Sequence, residues 1–100
     1  MKALTATILA LMMALSVPAQ AEPASCEQIA ELAKSIMTAR QKGVSMSKVM
    51  ELADGSALFE SMIVNAYEVH RFKAPVWQET EVAEFRDKWY MACYKEFKGD

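Results

Sequence analysis

The sequence predicts an all-α protein, a small four-helix domain stapled by one disulfide, Cys26–Cys93. Three observations carry that expectation. Apolar residues recur at helical spacing in four successive segments, with capping residues or a proline where each should begin. No stretch alternates apolar and polar residues as a half-buried strand does. The only two cysteines stand near opposite ends of the part of the chain expected to be exported.

The first 21 residues read as a cleaved signal peptide. Met1-Lys2 gives a basic start, Ala3 to Val17 an apolar run of 15 residues, and Ala19 and Ala21 the small residues of a cleavage site. The run is shorter than the roughly 20 residues of a membrane span. A lipoprotein signal fits less well, because Pro23 stands where leucine is wanted ahead of Cys26. The expected mature chain is one helical domain, residues 22–100, in the periplasm, with no membrane span left after cleavage. Losing Lys2 takes the 11 basic residues to 10 against 13 acidic, a net charge of −3, which argues against a nucleic-acid partner. An even cysteine pair in an oxidising compartment reads as a disulfide. Its loop of 67 positions is worth roughly 4 kcal/mol in the loop-entropy account. That is close to the whole stability of so small a domain, on the order of 5 kcal/mol.

The first helix should open at Ser25, whose spacing to Gln28 is that of a capping box, and stop at Gly43. Ile29, Leu32, Ala33, Ile36 and Met37 form its apolar stripe, with Cys26 one turn earlier. Ser45 caps a short second helix bearing Met46, Val49, Met50 and Ala53, and Asp54-Gly55 ends it. A third helix follows Ser56. Its broad band of Leu58, Phe59, Met62, Ile63, Ala66, Tyr67 and His70 suits a helix packed between others, and Arg71 and Lys73 should close it before Pro75. The fourth helix should run from about Val76 to Phe97, with acids Glu79, Glu81 and Glu84 at its start. Val82, Phe85, Trp89, Ala92 and Cys93 share one face. Bridging Cys93 to Cys26 makes the first and fourth helices antiparallel neighbours.

Little in the sequence suggests catalysis. His70 is the single histidine and is expected on the apolar band of the third helix, partly buried and hydrogen-bonded. The acids at the start of the fourth helix suit its dipole and imply no metal site. Met46 and Met50 sit one turn apart, but methionines on apolar stripes are expected to fill the core. The three glycines are isolated, so no phosphate loop is present. Neither a cofactor nor an enzyme activity is expected.

One surplus stands out. Tyr90, Tyr94 and Phe97 make a second apolar stripe on the fourth helix, and Trp77 and Met91 also lie off its core face. Either this helix is central and buried on both sides, or the stripe meets a partner, an envelope protein or a second copy. Tyrosine, tryptophan and methionine are enriched in interface cores.

The segment from Cys26 through Gly43 to Glu51, the group Ala66-Tyr67-Glu68 with Arg71-Phe72, and the run Glu84 to Tyr90 with Cys93 resemble small exported proteins of proteobacteria and of their phages and prophages. The resemblance covers most of the mature chain. It implies no established activity or catalytic residue, and its phage association implies envelope interference: superinfection exclusion, lysis timing or immunity. The architecture is also similar to that of acid-activated periplasmic chaperones, which are small, exported, helical and held by one disulfide. Two functions are therefore expected: a non-catalytic periplasmic interaction module, or an acid-responsive chaperone.

Overall fold

The computed structural model describes residues 25–98, and the expected signal peptide with its cleavage site lies outside them. The described residues form four α-helices and no strand: α1 (Cys26–Gln41), α2 (Met46–Met50), α3 (Ala57–Tyr67) and α4 (Pro75–Lys98). A single 3-10 turn, Glu51–Ala53, extends α2.

Local chemistry sets the ends of these helices. The Ser25 hydroxyl accepts from the Gln28 amide at 3.1 Å, and the Gln28 side chain accepts from the Ser25 amide at 2.9 Å. That reciprocal capping box satisfies two amides that α1 itself cannot. At the other end Gly43 adopts φ +86°. Its amide donates to the Arg40 carbonyl and the Val44 amide donates to the Ala39 carbonyl, a Schellman stop. A side chain at Gly43 would also strike the Arg71 guanidinium, 2.7 Å from where a Cβ would stand. Ser45 and Ser56 cap α2 and α3 through the amides of Lys48 and Phe59. Asp54, in the left-handed conformation at φ 49°, turns the chain from the 3-10 segment toward α3. Pro75 begins α4, where its missing N–H costs nothing.

Packing centres on α1. One side of it carries α4, and α3 with α2 cover the other. The core joins Ile29, Ala33, Ile36 and Met37 of α1 to Val49, Ala53, Met62, Ile63 and Ala66, and on the α4 side to Phe85 and Cys93. Ala30 and Ala33 are fully buried and let neighbours approach the α1 backbone closely. Each large side chain buried here, such as Met37, Met62 or Phe85, contributes about 1.5–3 kcal/mol.

Two clamps hold α1 antiparallel to α4. The first is the Cys26–Cys93 disulfide, with Cα atoms 5.5 Å apart. The second is polar and lies at the far end. Gln41 is buried; its Oε1 accepts from the Phe72 amide at 2.8 Å and its Nε2 donates to the His70 carbonyl at 2.8 Å. Gln78 of α4 donates to the Phe72 carbonyl at 2.7 Å. The peptide groups of Phe72 are thus held by a glutamine from each helix. Arg40 and Arg71 add bonds to the Val69 and Gln41 carbonyls, both at 3.1 Å.

These bonds account for a correction to the sequence reading. α3 stops at Tyr67, before His70 and well before Lys73. Residues 68–74 leave the helix, and within them Val69, His70 and Phe72 give their backbone groups to Arg40 and Gln41 at the end of α1. His70 is exposed rather than on a buried band, and its ring meets Phe72 edge-on at 4.8 Å between centroids. Met46, Leu58 and Ala92, expected on core stripes, are exposed as well. Tyr67 is held at the same junction: its hydroxyl donates to the Val44 carbonyl at 2.6 Å, and the Arg40 guanidinium lies 5.1 Å from its ring centre.

Two measurements test this arrangement. Cys93→Ser, or reduction of the native protein, should lower stability by about 4 kcal/mol and the melting temperature steeply, read by thermal circular dichroism. Burial raises the Tyr67 phenol above its ordinary value of 10.0, with Arg40 opposing. The native state then keeps a proton that the unfolded chain loses, so this contribution is complete below about pH 10 and fades as pH rises through the raised value. Urea titrations at alkaline pH should show that loss, and Tyr67→Phe should flatten it.

Candidate interaction surface

The register of the two long helices creates the candidate site. Cys26 is the first residue of α1, and Cys93 lies opposite it. Tyr94 to Lys98 therefore carry α4 beyond the start of α1. Past that point α4 loses its main neighbour among the described residues, and Leu58 of α3 lies close by.

A groove of about 430 Å³ opens there, lined by Ile29, Leu58, Trp89, Ala92, Cys93, Glu96 and Phe97. Its walls are apolar apart from Glu96. Trp89 stacks at a tilt on Phe85, 6.2 Å between ring centres, and its buried indole N–H meets no acceptor among the described residues. Beside the groove lies the second aromatic stripe. Tyr90 is 38% exposed, Met91 54%, Tyr94 51% and Phe97 72%. Tyr90, Tyr94 and Phe97 follow the i, i+4, i+7 spacing of one helix flank. Of the two possibilities left by the sequence, a helix buried on both sides is excluded: α4 packs on α1 along one face and shows these side chains to solvent.

Of the five expected surface residues, Tyr90, Tyr94 and Phe97 share one flank, and Met91 is exposed but turned further round the helix, away from the groove. Trp77 does not join them. It is exposed beside Val76, thirteen residues before Tyr90 and so about 20 Å away along the helix axis. Sequence reasoning missed Leu58, which was placed in the core band and instead walls the groove at 46% exposure. The signal for the groove was present, since pairing Cys93 with the first residue of α1 already implies that α4 overshoots.

A larger groove, about 540 Å³, runs between Lys34 and Thr38 of α1, with Lys42 just past its end, and Pro75, Glu79, Val82 and Ala83 of α4. Several of its polar groups are already committed. Gln41 and Gln78 hold residues 70–72. Arg86 binds Glu27 and also Glu31, the latter at 3.0 Å, with Asp87 at 3.7 Å. The Glu31 hydrogen bond raises the Arg86 pKa, against a desolvation cost, so this residue stays a fixed cation across α1 and α4. No group of three or more histidine, cysteine or acidic residues that could hold a metal occurs among the described residues. No described helix is long and apolar enough to cross a membrane. Compared with models of known protein families, with curated proteins and with solved structures, the chain has no match.

Stability measurements separate surface from core on this one helix. Tyr94→Ala and Phe97→Ala should each shift unfolding by no more than about 0.5 kcal/mol, whereas Phe85→Ala should cost about 3–5 kcal/mol. Urea unfolding of the three variants reads the difference, and a loss of about 3 kcal/mol at Phe97 would make the stripe core.

Proposed function

We propose that this chain is a non-catalytic, periplasmic protein-interaction module that docks through the disulfide end of α4. The observation that supports the reading most strongly is the exposed flank Tyr90, Tyr94 and Phe97, whose last member lines an apolar groove beside the start of α1. A domain this small gains from burying its aromatics, so leaving several together in water suits a surface that a partner covers. The groove offers the pocket in which such interfaces concentrate their energy. Periplasmic placement rests on the signal-like first 21 residues and agrees with a disulfide closing the domain. The resemblance to phage- and prophage-associated exported proteins extends the proposal to interference with an envelope process: superinfection exclusion, lysis timing or immunity.

Site-specific photo-crosslinking in intact cells tests the reading. A photoreactive residue at Tyr90 or Phe97 should trap the same adduct, and one at Ser47, exposed on α2, should not. Equal adducts from both faces, or none from α4, would remove the assignment.

A further inference from the structure

We infer that the partner is a second copy of this chain. The two copies would meet about a twofold axis at the disulfide end of α4, each Phe97 ring entering the groove of the other between Leu58, Trp89, Ala92 and Cys93. This names the occupant of the docking surface proposed above and rests on that reading.

Three features of the surface carry the inference. The first is the chemistry of the groove: apolar walls with Glu96 as the single charge suit an apolar side chain and disfavour an anionic ligand. Its roughly 430 Å³ has room for an aromatic ring. The second is the position of the knob. Phe97 is the most exposed large hydrophobic residue among those described, at 72%, and it stands on the rim of this groove. A twofold contact needs both complementary halves on one patch, because residue i of one copy meets residue j of the other and the reverse. A hole for a foreign partner would need no knob beside it.

The third feature is area. Taking about 200 Å² for each fully exposed side chain, the exposed fractions of Leu58, Tyr90, Tyr94 and Phe97 leave roughly 400 Å² per copy. A standard interface buries about 800 Å² on each partner, a little over half of it non-polar. The patch therefore supplies about the apolar area that a stable dimer requires.

Sedimentation of the oxidised exported chain, across a concentration series reaching about 1 mM, tests this. Wild type should dimerise. Phe97→Ala, which removes the knob, and Ala92→Trp, which fills the hole, should each weaken dimerisation about thirtyfold or more, while the circular dichroism spectrum, and the melting temperature at dilutions where wild type is monomeric, stay unchanged. Mixing the two variants should restore a heterodimer, because one intact knob then meets one intact hole. A monomeric wild type would overturn the second copy as occupant while leaving the docking surface to a foreign partner, which the crosslinks would identify. A dimer indifferent to both substitutions, or a mixture that stays monomeric, would overturn the reciprocal contact. Loss of fold in Phe97→Ala would overturn the docking surface as well.

Discussion

The Cys26–Cys93 bond fixes the register on which the rest of the molecule depends. Cys26 lies fifteen residues before Gln41, and Cys93 fifteen residues after Gln78. Over that distance the two helices run side by side, so a covalent clamp at one end and a glutamine clamp at the other fall on the same pair of levels. Arg86, between them, reaches Glu27 and Glu31 across the helix pair. At 1.5 Å per residue the 16 residues of α1 span about 24 Å and the 24 residues of α4 about 36 Å. Once the cysteines are paired, the excess length of α4 has to project. The open end of the groove at Glu96 and Phe97 follows from that mismatch.

The two clamps differ in kind. The disulfide acts mainly on the unfolded chain, whose freedom it reduces. The glutamine clamp acts on the native state, because Gln41 is buried and its amide answers the Phe72 N–H and the His70 carbonyl. Removing such a side chain takes away both bonds at once, which makes the residue costly to replace. Residues 68–72 are thereby held as an ordered connection between α3 and α4 without being helical. Tyr67, bonded to the Val44 carbonyl and facing Arg40, ties the end of α3 to the same corner.

Much of this architecture was legible in the sequence, for identifiable reasons. Capping boxes, glycine stops and a proline at a helix start are local signals, and Ser25, Ser45, Ser56, Gly43 and Pro75 all act within a few residues of themselves. A single cysteine pair left one intramolecular bridge, so the antiparallel pairing of α1 and α4 could be read as well. The end of α3 could not. Helical periodicity continues through His70, and what interrupts it is Gln41, some thirty residues away in sequence. The same limit applies to Leu58 and Ala92. Both lie at positions that a helix pattern assigns to a core, and both instead line the open groove. Periodicity tells which residues share a face, whereas exposure depends on where the next element ends.

This geometry also bears on the choice between a standing interaction surface and one released by acid. An acid-released chaperone would keep its apolar surface covered at neutral pH and expose it when carboxylates lose their charge. Here Phe97, Tyr94 and Met91 are at the surface of the folded protein, with the helix pair intact. The charged contacts joining α1 to α4, those of Arg86 with Glu27 and Glu31, are partly exposed, and exposed pairs contribute little to stability. Their loss in acid would leave both the disulfide and the Gln41–Phe72 bonds in place. The apolar end of α4 therefore needs no trigger to become available, which favours an interaction module that is competent as soon as its disulfide has formed.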